Sequence, residues 1–260
     1  MNDWIQAAAA DALRHLHADL RPRFGKKGWA EFSSRLDVLG ERLFRLLHSL
    51  YGQRFDFAWT LSEIVDVAAT GYLERPARFR KHDRKSPDWL DDPATLWGMT
   101  YLDLYAGEAA NLSHRVPHLQ ALGVTHLHLL PPYATLQGHN DGGYAVSDYR
   151  SLRPGLGSMG QMRKAIKGLR KEGIGVVLDL VCNHTSSEHQ WAKAAAAGDP
   201  AYRDFYFMFE NREVPDQISP FLRSIFPERG GDAFTWQEGA QSWVWTTFFP
   251  FQWDLNYRNP

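Results

Sequence analysis

The chain has 260 residues and nearly balanced charge, with 29 Lys and Arg against 30 Asp and Glu and a net of -1. That balance leaves no electrostatic footprint for nucleic acid or an anionic membrane surface. At 44% hydrophobic residues and one cysteine, Cys182, the composition excludes intrinsic disorder and an internal disulfide framework, leaving one large domain or two smaller ones.

Met1 to Asp11 has no basic stretch leading into an apolar core, and no run approaches the ~18 apolar residues of a membrane span. A soluble, cytoplasmic protein is expected. Residues 1–75 read as a helical domain. A first helix runs from Asp3 to Leu20 and stops before Pro22. From Phe32, the positions Phe32, Leu36, Leu39, Leu43, Leu46 and Leu50 alternate steps of four and three, the spacing of an amphipathic helix that Gly52 closes. A third helix is expected from Phe57 to Leu73 with Leu61, Ile64, Val65 and Ala68 facing inward, which makes a small bundle. Residues 76–95 are charged and carry Pro76, Pro87 and Pro93, so they read as a linker.

After Leu96 the pattern becomes strand, helix, strand, helix, strand. Strands are expected over Met99–Leu104 and Thr125–Leu130, and helices over Leu112–Leu122 and residues 158–172. The segment Gly173–Thr185 then forms a third, buried strand rich in aliphatic bulk that turns polar at Asp179, Asn183 and His184. Such alternation implies an α/β fold with a parallel sheet. Three strands cannot close a TIM barrel, which needs eight strand–helix units over ~250 residues. Residues 185–260, rich in Trp, Phe, Pro and Gly without clear periodicity, read as an inserted irregular domain.

Taken alone, Asp179, Asn183 and His184 suit either a ligand-binding sheet edge or a strand ending in a hydrogen-bonded surface histidine. The loop after the second strand contains Asp141-Gly-Gly-Tyr144, where the glycines permit a tight turn that fixes a carboxylate beside an aromatic ring. That pair is the minimum needed to grip a sugar, and it is also what an ordinary Asp-Gly turn with a packed tyrosine looks like. Both segments fall at the carboxyl edge of the same sheet, which favours the binding reading. The rings of Trp243–Asn256 suit a strand packed into the inserted domain.

Val176–His184, in the pattern V-V-L-D-L-V-C-N-H, resembles the first signature region of the α-amylase-like glycoside hydrolases. Asn140–Arg150 and the W-V-W-T-T-F-x-x-F-Q-W-D-L-N-Y-x-N of Trp243–Asn259 are similar to the narrower, sucrose-active amylosucrase branch and its close relative sucrose hydrolase. The resemblance implies a helical N-terminal domain (1–75), a linker (76–95), the first three βα units of a (β/α)8 barrel (96–184) and an insert after strand three (185–260). It implies that Asp141, Tyr144, His184 and Phe248 form a glucosyl pocket and that Arg223 stands at the acceptor side. Asp179 and Asn183 would support the site, with no metal and no cofactor. Sucrose and an α-glucan acceptor would be the ligands, through retaining transfer by two carboxylates. In that family the catalytic carboxylates follow strands four, five and seven, so residues 1–260 are expected to be an N-terminal portion, inactive alone. Asp254 precedes strand four and is read as structural. Transfer to water, as in sucrose hydrolase, and a non-catalytic sugar-binding scaffold are the alternatives. The Trp243–Asn256 segment argues against a trehalose synthase or isomerase.

Overall fold

The computed structural model describes residues 3–85, 88–223, 225–226 and 232–260. Two compact units emerge, one ending at Trp89 and one spanning Leu90–Asn259. In the first, α1 (Asp3–Tyr51) is two helical arms meeting at Gly25, whose φ of 70° breaks the helix. The break therefore comes three residues later than Pro22, which the first arm accommodates. Helix α2 (Phe57–Glu74) packs against both arms around Leu16, Leu20, Trp29, Phe32, Leu36, Phe44, Leu61 and Val65.

Two sequence expectations are corrected here. Leu39, Leu46, Leu50, Ile64 and Ala68 are exposed, not inward-facing. The buried line on the second arm is Phe32, Leu36, Gly40 and Phe44, with Leu13 of the first arm seated against Gly40. A Cβ there would lie 2.5 Å from Leu13 Cδ2. A reading that follows only large apolar residues misses a face organised around a glycine. The second correction concerns the linker, which contains a nine-residue helix, α3 (Ala77–Lys85). Its Arg80 and Arg84 both pair with Glu31 of α1, and Arg80 Nη1 donates to Leu73 O at 2.7 Å. Charge tethers this helix, since it buries no residue.

The second unit is built on a parallel sheet of β1 (Trp97–Thr100), β2 (His126–Leu129) and β5 (Gly175–Leu178), in that spatial order. Leu127 sits beside Gly98 and Val176 in register. Residues Leu102–Ala106 are helical (α4), which shortens the expected first strand. A 3-10 turn over Ala109–Arg115 leads into α5 (Val116–Ala121), with Pro117 in its first turn. Between β2 and β5 lie an antiparallel pair, β3 (Tyr133–Thr135) and β4 (Val146–Leu152), and α6 (Met159–Lys171). Ser158 and Gln161 form a capping box that starts α6, and Met162, Ala165 and Leu169 form its buried stripe. These residues join Leu112, Leu119, Leu127 and Leu129 in one core on one side of the sheet.

β5 is only half-buried, and Leu180 just beyond it is 70% exposed. The expected buried strand is thus half-buried along its whole length, and among the described residues β5 pairs with β2 alone. Beyond it the chain is more regular than its composition suggests. β6 (His184–Ser186) pairs antiparallel with β10 (Gln252–Asp254). Helices α7 (Gln190–Ala196), α8 (Pro200–Arg203) and α9 (Glu213–Ile218) follow, with a three-stranded antiparallel sheet ordered β7 (Met208–Phe209), β9 (Ser242–Trp245), β8 (Phe234–Gln237). The Ser242–Trp245 alternation is the strand its pattern suggested, with Ser242 and Val244 buried.

Candidate functional site

The turn between β3 and β4 folds on its own polar groups. Asn140 Oδ1 accepts the Gly143 N–H at 2.9 Å, and Tyr144 N donates to Asp141 O at 3.1 Å. Asp141 at φ 54° and Gly142 at φ 64° occupy the left-handed region. Asp tolerates that conformation because its short side chain can serve local hydrogen bonds. The turn therefore presents the Asp141 carboxylate and the Tyr144 ring together.

From this turn the Tyr144 hydroxyl donates to Asp179 Oδ2 at 3.0 Å, just past the end of β5. His128, on β2, places Nε2 3.1 Å from Asp179 Oδ1. Each Asp179 oxygen thus has a partner, and the carboxylate joins the second and third parallel strands to the loop. His184 opens β6 at 4% exposure, opposite Asp254 of β10. Its Nε2 lies 3.2 Å from Tyr144 O and 3.0 Å from Gln252 Nε2, and its ring sits 5.1 Å from that of Phe248. Gln252 Nε2 also donates to Asp141 Oδ2 at 3.0 Å. Asp254 accepts from Thr247 N at 2.7 Å, Thr247 Oγ1 at 2.8 Å and Asn183 Nδ2 at 2.9 Å.

Burial sets the protonation of this cluster. It holds the His184 imidazole below its ordinary value against the opposing pull of Asp254, the Tyr144 carbonyl and Asp141, so the ring is neutral at pH 7. The Asp254 carboxyl is raised by burial, and the three hydrogen bonds just described restrain the rise. Burial, followed by the Asp179 hydrogen bond, pushes the Tyr144 phenol up to about 12. A neutral imidazole, one carboxylate and flanking rings are a set that holds hydroxyl groups and carbon-rich ring faces.

The structure brings Asp141, Tyr144, His184 and Phe248 together and packs Asp179 and Asn183 behind them. Arg223 stands apart from this hydrogen-bonded cluster. It is exposed and borders a cavity of about 430 Å³ whose wall also includes Phe226, Asp232, Thr247 and Phe248. Phe248 is thus the link between the cluster and that cavity. Sequence reasoning passed over His128, Thr247 and Gln252. Gln252 lies inside the quoted aromatic motif, but an uncharged amide beside Trp253 carries no signal of its own.

A parallel α/β sheet with a cluster of polar and aromatic side chains just beyond its carboxyl edge is the arrangement of α/β proteins whose ligands bind at that edge. Residues 75–260 match the family described as Alpha amylase, catalytic domain, and the chain belongs to that family of glycoside hydrolases and transferases. It is 36% identical over 185 residues to the palatinase of Erwinia rhapontici, covering 68% of this chain and 32% of that protein. It is 34% identical over 155 residues to the trehalose synthase of Pimelobacter sp. (strain R48), covering 59% of this chain and 26% of that one. Among solved structures it resembles a MutB mutant in complex with the substrate sucrose, with TM-score 0.55, 27% identity and coverage of 64% of this chain and 30% of that one. It also resembles the trehalose-6-phosphate hydrolase of Bacillus licheniformis, with TM-score 0.54, 30% identity and the same coverage. The chain therefore spans about a third or less of the length of these relatives.

Proposed function

We propose that the chain forms the glucosyl-holding wall of a sucrose-active, retaining α-glucosyltransferase of the amylosucrase type. Its parallel strands would be the first three of a (β/α)8 barrel. In this reading Asp141 and His184 hold sugar hydroxyls, while Tyr144 and Phe248 pack on the ring. Sucrose donates the glucosyl group, an α-glucan accepts it and fructose leaves. The observation that carries the reading is the convergence of Asp141, Tyr144 and His184 from two separate loops beyond the carboxyl edge of one sheet. The likeness to a sucrose-bound MutB and to a palatinase supports a sucrose-like disaccharide.

The second part of the proposal is that these 260 residues do not turn over substrate by themselves. Retaining transfer needs two carboxyl groups ~5–5.5 Å apart, one to attack the anomeric carbon and one to protonate the leaving oxygen. Asp179 is held between His128 and Tyr144, and Asp254 accepts three hydrogen bonds, so both are committed to structure. Asp141 supplies a single holding carboxylate. Incubating the chain with sucrose and assaying fructose is expected to give no release above a blank. Sustained release overturns this part, and glucan or free glucose among the products would then separate transfer from hydrolysis. Titration of sucrose followed by Trp fluorescence separates the readings of the isolated chain: no response supports an incomplete enzyme, and saturable binding without turnover supports the non-catalytic sugar-binding scaffold. No helix among the described residues is long and apolar enough to cross a membrane. The exposed Cys182 thiol supports a reducing compartment such as the cytoplasm.

A further inference from the structure

His128 sits on β2, the middle strand of the parallel sheet. Alternation along that strand buries Leu127 and Leu129 in the core and sends His126 and His128 to the opposite face. His128 is in register with Val177 of β5, and the ladder runs on past that strand, where Asp179 N donates to Leu129 O at 3.3 Å. Val177 and Asp179 are two residues apart and so share the face on which His128 lies. There imidazole Nε2 meets Asp179 Oδ1 at 3.1 Å. A carboxylate oxygen only accepts, so Nε2 carries the proton and donates. The other oxygen, Oδ2, takes the Tyr144 hydroxyl at 3.0 Å. The His128 and Asp179 side chains are 26% and 23% exposed, so the pair is partly shielded from water.

We propose that His128 is a positioning residue for Tyr144: its donation to Asp179 fixes the carboxylate that anchors the Tyr144 hydroxyl, and so sets the tilt of the ring. The terminal torsion of an aspartate is broad, and a carboxylate with a single donor swings about it. Donors reaching the two oxygens from different elements, a strand and a loop, pin that torsion. The near end of Tyr144 is held by the turn, where its N–H donates to Asp141 O at 3.1 Å. With its hydroxyl tied to Asp179, the ring is fixed at both ends. β2 is hydrogen-bonded to a strand on each side, so this chain of contacts starts from a braced point. The inference rests on the sugar-holding reading only for its consequence, that a sugar meets a ring of set tilt. Its geometry stands on the hydrogen bonds alone.

The test is NMR of the 260-residue chain and of His128→Gln and His128→Leu, all without sugar. Glutamine carries an amide nitrogen to about the reach of imidazole Nε2, whereas leucine fills the space without a donor. In the unmodified chain His128 is expected to carry its proton on Nε2, and the Tyr144 hydroxyl proton to be protected from exchange. His128→Leu should remove that protection. It should also lower the pH at which Tyr144 ionises, about 12 in the unmodified chain, by about one pH unit, the equivalent of one hydrogen bond. His128→Gln should restore both. An imidazole protonated on Nδ1 alone overturns the proposal without any variant having to fold. A His128→Leu chain with an unchanged Tyr144 hydroxyl also overturns it. So does a His128→Gln chain that behaves like His128→Leu, since packing and not donation would then be at work. No readout needs a ligand, so failure of the sugar-holding reading would leave the positioning role standing.

Discussion

Tyr144 donates its hydroxyl to Asp179 Oδ2 at 3.0 Å, closing a distance of 35 residues in sequence between the Asp-Gly-Gly-Tyr turn and the end of the third parallel strand. Tyr144→Phe removes that donor while leaving the ring. We expect a loss of about 1.5–3 kcal/mol on denaturant unfolding, the range for a hydrogen bond to a charged group. The phenol titrates at about 12 against an ordinary 10, so the folded chain retains the proton more tightly. Its stabilising contribution is complete below pH 10 and is lost as pH rises through 12. Absorbance titration of tyrosinate should show one alkaline transition near 12 disappearing in the variant.

Gly143 and Gly142 are expected to differ in cost when replaced by alanine. A Cβ on Gly143, at φ 97°, would lie 2.7 Å from the backbone Pro131 O, which cannot move without shifting the loop. On Gly142 the near contact is the Tyr101 hydroxyl at 2.6 Å, the end of a side chain that can swing away. Both substitutions incur the ~1–2 kcal/mol of a left-handed alanine. Gly143→Ala should cost clearly more and displace Asp141. Thermal unfolding of the two variants gives the order, and equal losses would refute the argument.

Asp254 titrates above 3.8 in the folded chain because it is buried. A raised carboxyl stabilises the fold most when protonated, so its contribution is full below pH 3.8 and is lost as pH rises through the folded value. Asp254→Asn cannot titrate. The stability of the original chain minus that of Asp254→Asn should therefore fall with increasing pH across the acid range and then level off. Denaturant unfolding from pH 3 upward checks the sign.

Phe44 and Leu46 test which face of α1 holds the bundle. Phe44 is 4% exposed and Leu46 57% exposed. Phe44→Ala should cost about 3–5 kcal/mol through lost burial and cavity formation. Leu46→Ala should stay within about 0.5 kcal/mol, as expected for a surface position. A large loss at Leu46 would restore the face that the leucine spacing suggests.

Much of the architecture was legible from local chemistry. The helix over residues 158–172 and the switch from aliphatic to polar at Asp179 each rest on interactions within a few residues, which a linear reading captures. Asp141 and Tyr144 stood out because two glycines and a carboxylate in a row demand a turn. The helical face of α1 was misread where a glycine, Gly40, provides the contact, and α3 was missed because ion pairs to Glu31, 49 and 53 residues away, hold it.

The sequence by itself determined the α/β alternation, the two polar loops and the aromatic closing segment, since these follow from propensity, periodicity and turn chemistry. Only the tertiary structure decided what those loops do to each other. Gln252 meets Asp141 across 111 residues and His184 across 68, contacts that no local pattern encodes. They exist because β10 pairs with β6 in a register that places Gln252 opposite Ser186 and Asp254 opposite His184. That pairing also buries the imidazole and so settles its charge, which depends on the groups packed around it more than on its identity as histidine.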